Sequence, residues 1–179
     1  IAMLSATGTA SATTFLRGDN AWVAIATPDN TPSFDVYLNA NQTVADATFT
    51  KIQFNVENWD TDSAYDNSTN YRFTVPVGEA GKYAFFFKTR LMTSPGANYQ
   101  AGIRLSINGT GYAPFIVWDY TEAASRDLLM SGSGAANLAD SDYVEAFVYN
   151  GFGSSTTISG GSPFSDAETR FSGFKLSGV

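Results

Sequence analysis

Gly81-Lys82-Tyr83-Ala84-Phe85-Phe86-Phe87 is the stretch on which the fold turns. A glycine closes a turn, and aromatic rings then recur at alternate positions. Residues two apart in a strand share a face. Tyr83, Phe85 and Phe87 therefore form one aromatic row, while Phe86 points the other way between Ala84 and Lys88. A ribbon with bulky apolar groups on both sides is no solvated wall. One side calls for a sandwich core. The other calls for a second cover, such as another subunit.

Working outward, the sequence predicts strands near 34–38, 49–56, 70–75, 82–92, 101–107, 112–118, 126–131, 142–149 and 170–176. Alternation is plainest in Ile103-Arg104-Leu105-Ser106-Ile107 and in Tyr143-Val144-Glu145-Ala146-Phe147-Val148-Tyr149. Asn108-Gly109 is a hairpin signal, since both residues accept positive φ. Gly132-Ser133-Gly134 reads as a turn, and 132–141 as a loop. Tyr120 to Met130 is the one stretch with any helical reading. Many short strands joined by Gly/Ser-rich turns predict an all-β sandwich or barrel over residues 33–179.

Residues 1–32 differ. Gly8-Thr9-Ala10-Ser11-Ala12-Thr13-Thr14 has little to bury, and Arg17-Gly18-Asp19-Asn20 separates Phe15-Leu16 from Trp22-Val23. Such a segment cannot by itself offset its ordering entropy. It reads as a stem or linker that orders against copies of itself, punctuated by Thr27-Pro28-Asp29-Asn30-Thr31-Pro32. The tripeptide Arg17-Gly18-Asp19 matches an integrin-type motif, but three residues recur by chance and a structural turn is the expectation.

Composition narrows the function. Aromatics make up 15% of the chain, enough for a sizeable core, and charged residues also make up only 15%, which suits a surface partly hidden between subunits. Acidic residues outnumber basic ones 17 to 10, for a net charge of −7, and no Lys/Arg cluster occurs. Nucleic acid and anionic membranes are expected to be repelled. No apolar run approaches the length of a membrane span, so no membrane insertion is expected. A chain that opens on Ile1 is expected to be cut from a longer one. Histidine and cysteine are both absent, which removes the usual general base and the usual thiol nucleophile. Paired carboxylates, Asp60 with Asp119 or Asp166, offer a hydrolytic route, and the expectation is a non-enzyme with no catalytic residue and no required cofactor.

Phe54, Asp60, Tyr65, Phe73, Gly81, Tyr83, Phe85 and Phe87 resemble, in order and chemistry, the spaced signature of the complement globular heads, relatives of tumour necrosis factor. Phe171-Ser172-Gly173-Phe174-Lys175-Leu176 resembles that family's closing strand. Asp142-Tyr143-Val144 resembles its Gly-Asp-x-Val step, with Ser141 in place of the glycine. The resemblance spans roughly residues 34–177. It implies an antiparallel jelly-roll sandwich that assembles as a homotrimer, with Tyr83, Phe85, Phe86, Phe87 and Phe174 divided between the core and the trimer interface.

A second resemblance covers residues 8–22, which are similar to linkers in bacteriophage tail-fibre proteins. No Gly-x-y repeat supports a collagen stem. Together the two resemblances imply a trimeric head on a short extended stem, located on the tail fibre of a virion. Its partner would be a host-cell surface receptor, glycan or protein. A structural trimerisation or capping module is the alternative, and a polysaccharide depolymerase a third.

If strands alternate in direction from a closing strand at the base, loops 150–169, 119–125, 93–100 and 57–69 should share the far tip. Loops 76–81, 108–111 and 132–141 should share the base. The tip set then holds Trp59, Asp60, Asp62, Tyr65, Asp66, Tyr99, Trp118, Asp119, Tyr120, Glu122, Phe152 and Asp166. Carboxylates beside rings suit a sugar, whose hydroxyls donate and whose apolar face stacks. Asp60, Asp62 and Asp66 also form a weak calcium pattern, because calcium takes oxygen ligands. The competing expectation is a solvated acidic loop.

Overall fold

The computed structural model describes residues 6–24, 30–92, 99–121, 127–161 and 169–176. Its contacts divide the chain into an N-terminal unit ending at Asp29 and a head beginning at Asn30.

The N-terminal unit is a short hairpin. Strand β1 (Thr14–Leu16) pairs antiparallel with β2 (Trp22–Ala24). Arg17-Gly18-Asp19 forms the connection. The Arg17 amide donates to Ala21 O at 2.8 Å, and the Arg17 guanidinium chelates the Asp19 carboxylate, which also accepts the Ala21 amide at 3.2 Å. The ion pair lowers the Asp19 pKa and raises that of Arg17. The tripeptide is thus occupied with its own turn. Phe15 and Leu16 remain close to half exposed.

The head is a sandwich of two antiparallel sheets, and no helix occurs among the described residues. The first sheet centres on β9 (Gly81–Met92). On one side β9 pairs with β12 (Leu128–Leu138). On the other it pairs with β15 (Arg170–Lys175), followed by β3 (Ser33–Tyr37) and β6 (Val56–Asp60). β14 (Thr156–Ile158) continues beside the last residues of β9 and carries β4 (Gln42–Val44). The second sheet runs β11 (Thr110–Thr121), β10 (Tyr99–Ile107), β13 (Tyr143–Gly151), β8 (Arg72–Thr74) and β7 (Tyr65–Asp66). β5 (Thr48–Lys51) runs alongside β13, with the next residue's amide, Ile52 N–H, donating to Ala146 O at 3.0 Å.

Alternation decides what each face does. Tyr83, Phe85 and Phe87 are at most 2% exposed. They join Phe34 and Phe171 of their own sheet, Phe54 of the crossing between the sheets, and Phe73 and Tyr65 of the facing sheet, in one continuous aromatic core. Phe34 stacks on Phe73 at 4.8 Å and on Tyr65 at 5.3 Å, and Phe73 meets Tyr83 at 5.5 Å. Such pairs add specificity to what burial of each ring already contributes, about 1.5–3 kcal/mol per large side chain. Phe86 emerges on the opposite face, 46% exposed.

Three local expectations need correction. The run predicted as 49–56 is two strands, because residues 52–55 cross from one sheet to the other between β5 and β6. Gly132-Ser133-Gly134 is no turn. It lies inside β12, which continues to Leu138, and the loop shrinks to 139–142. The glycines make room for a ring of the facing sheet: a Cβ on Gly132 or Gly134 would come within 3.0–3.2 Å of side-chain atoms that include Phe115. The Tyr120–Met130 stretch has strand at both its ends, and its middle lies outside the described residues. The Asn108-Gly109 hairpin forms as its residues require, with φ of 51° and 79°.

Candidate functional site: an aromatic shelf below the distal rim

Register fixes the two ends of the head. The end where the head starts brings together Ser33, Phe174, Gly81, Leu138, Thr74 and Tyr143. Loops 76–80, 108–109 and 139–142 meet there. The Asp140 carboxylate accepts the amides of Gly78 and Ala80, and Asn108 Nδ2 donates to Asp142. The opposite, distal end carries Met92, Tyr99, Val44, Gly151 and Thr156. Asn150, fully buried, anchors this rim. Its amide donates to Val44 O and Ser154 O, and its Oδ1 accepts the Phe152 amide at 3.0 Å.

The predicted tip residues separate between these ends. Trp118 and Asp119 lie near the distal rim on β11, and Phe152 lies on the turn after β13, half-buried against the core. Tyr99 and Tyr120 are placed there by their backbones in β10 and β11. Glu122 and Asp166, with most of loops 93–100, 119–125 and 162–168, lie outside the described residues.

Trp59, Asp60 and Asp62 are a correction. β6 runs toward the starting end, where Asp60 pairs with Phe34 and the Thr61 amide donates to Ser33 O. These residues therefore stand at the end opposite Trp118. The two-residue strand β7 adds a reversal that counting strands from the closing strand omits. Tyr65 is a second correction. It is 5% exposed and stacked in the core, where burial pushes its phenol pKa well up.

The carboxylates of the calcium pattern are employed separately. Asp60 Oδ2 accepts the Tyr65 amide, and Asp62 accepts the Thr61 hydroxyl. Asp66 caps the 67–71 turn, accepting the amides of Ser68, Thr69 and Asn70 at 2.8–3.0 Å. These bonds hold its pKa far below the carboxylate range. No cluster of three or more acidic or other metal-ligating side chains occurs among the described residues. Asp60 and Asp119, at opposite ends, cannot flank one glycosidic bond.

What does converge is a shelf on the outer face of the second sheet. On β10, Ala101, Ile103 and Leu105 enter the core, which turns Gly102, Arg104 and Ser106 outward. On β13, Glu145, Phe147 and Tyr149 take that same outer face. Gly102 lies between Trp118 and Tyr149 in register. The Trp118 ring packs down against it: a Cβ there would meet the indole at 2.6 Å. Phe49 of β5 and Tyr149 buttress the indole at 5.6 and 5.3 Å, both T-shaped, and meet each other at 5.3 Å. Trp118 remains 38% exposed. Beside it, the Arg104 guanidinium carbon sits 3.8 Å from the Phe49 ring centroid and 5.3 Å from that of Phe147. Lys51 closes the edge with an ion pair to Glu145 at 2.9 Å. Trp118 was legible as a candidate; Phe49, Arg104 and Tyr149 were not, because they come from three other strands.

A second exposed aromatic set lies on the outer face of the first sheet. Phe86 stacks on Phe174 at 6.0 Å, and Trp59 is half exposed nearby. Small side chains, Ser131, Ser133 and Ser172, line the adjoining groove of about 440 Å³ together with Lys88 and Arg170. Asp35, on this face but 1% exposed, is neutralised by a bidentate Arg170 and accepts the Asn58 side-chain amide at 2.6 Å.

No family model matches the chain, and no curated protein does. Among solved structures, the globular domain of the zebrafish complement 1qA protein is similar over 83% of this chain and 98% of that one, with a TM-score of 0.54 at 20% identity. The head thus shares the jelly-roll fold of the complement and tumour-necrosis-factor globular heads.

Proposed function

We propose that this chain is the receptor-binding head of a homotrimeric fibre of the bacteriophage tail-fibre type, and that it works by adhesion without catalysis. The observation that carries the reading is the pair of exposed aromatic clusters on opposite outer faces. The Phe86–Phe174–Trp59 face is edged by small side chains and has its buried acid neutralised, which suits burial against copies of the chain. The Trp118 shelf is compact and mixes rings with cations, which suits a ligand. Half-exposed Phe15 and Leu16 of the N-terminal hairpin suit a stem that orders in threes.

Three tethered copies raise effective concentration, so weak single sites suffice for attachment. Fluorescently labelled protein, incubated with a panel of Gram-negative and Gram-positive bacteria, tests the reading. The expected result is retention on a restricted subset of strains. A trimer that adheres to none favours the capping module instead. Shortened chains after incubation with capsular polysaccharide would favour the depolymerase.

A further inference from the structure

We infer that the Trp118 shelf binds a carboxylate-bearing pyranose, the sugar ring stacking on the indole and the carboxylate meeting Arg104. The inference rests on the receptor-head reading and names the ligand class of one site on it.

Three observations point to this chemistry. First, Trp118 is preorganised. Gly102 lets the indole lie close to the sheet, Phe49 and Tyr149 buttress it, and over a third of it still meets solvent. A held ring loses little entropy when a second flat surface covers it. Second, Arg104 has no carboxylate partner among the described residues, although the chain is acidic overall. Lys51, the neighbouring cation, is already paired with Glu145. A planar guanidinium with no acid of its own is complementary to a ligand carboxylate. Third, the shelf is small. An indole and a guanidinium held by a common phenyl ring match one or two sugar rings, whereas a protein partner needs about 800 Å² per side.

The full chain is titrated with a tetrasaccharide of alternating glucuronate and N-acetylglucosamine, and with its carboxyl-reduced counterpart. The indole N–H resonances of the three tryptophans are followed by NMR, with Trp118→Phe identifying the Trp118 signal. The expected result is a shift of the Trp118 signal and about tenfold tighter binding of the acidic sugar. Arg104→Gln should bring the two sugars to equal affinity, and Trp118→Ala should abolish both. An unmoved Trp118 signal, equal affinities in the unaltered protein, or a preference that survives Arg104→Gln would overturn the inference. The Trp118 shift in the unaltered protein does not depend on any variant folding. Bacterial attachment separates the two claims. Attachment undiminished in Trp118→Ala removes the shelf and leaves the receptor head. Sugar binding without attachment to any strain supports the shelf and removes the receptor head.

Discussion

Trp118 and Gly102 face each other on neighbouring strands so closely that a single added methyl group at residue 102 would lie 2.6 Å from the indole. Gly102→Ala should therefore tilt or displace the ring while the core side of β10 stays packed. Overpacking of this kind costs about 1–3 kcal/mol. A lowered melting temperature with a changed near-ultraviolet circular dichroism signal is expected; an unchanged Trp118 environment would contradict the shelf geometry.

Phe85 and Phe86 are sequence neighbours with opposite assignments. Phe85 is 1% exposed and Phe86 is 46% exposed. Phe85→Ala should cost about 3–5 kcal/mol through the cavity it leaves. Phe86→Glu should leave the protomer folded and abolish self-association, since a charge cannot be buried there unpaired. Circular dichroism and light scattering on both variants read the two effects separately.

Asp35 is buried on β3 and held by Arg170 on β15. Removing the cation leaves the buried carboxylate without its charge partner. Arg170→Ala is expected to destabilise by about 2–4 kcal/mol, discounted for the partial exposure of the arginine. Adding Asp35→Asn should recover part of that loss. Denaturant unfolding of the two variants measures it, and equal stabilities would show that the pair is not coupled.

Asp66 carries a depressed pKa because its carboxylate accepts the turn amides of Thr69, Ser68 and Asn70. A group depressed in the folded state contributes stability above its unfolded pKa and loses it as pH falls toward the folded value. Asp66→Asn should thus be less stable than the unaltered protein at pH 7, by about 1–2 kcal/mol. The gap should narrow as pH drops below about 4. A gap that does not vary with pH would contradict the carboxylate cap.

The central ribbon was legible because Tyr83, Phe85 and Phe87 alternate cleanly with Ala84, Phe86 and Lys88, so period alone separates core from surface. β12 was not, because Gly132 and Gly134 look like turn residues unless one knows that Phe115 fills the space above them. Counting strands back from the closing strand misplaces one loop cluster, because β7 is two residues long and invisible to any periodicity. Trp59, Asp60 and Asp62 moved to the other end for that reason alone. The shelf was half legible. Trp118 stands out in sequence, but Phe49, Arg104 and Tyr149 are spread across 101 residues of chain and meet only through strand register.

The solution mass tests the central claim, that the Phe86 face is covered by copies of the same chain. Size-exclusion chromatography with multi-angle light scattering on the unaltered protein should return three times 19.1 kDa, falling to 19.1 kDa in Phe86→Glu. A stable species of 19.1 kDa in the unaltered protein, with Phe86 and Phe174 in water, would contradict it.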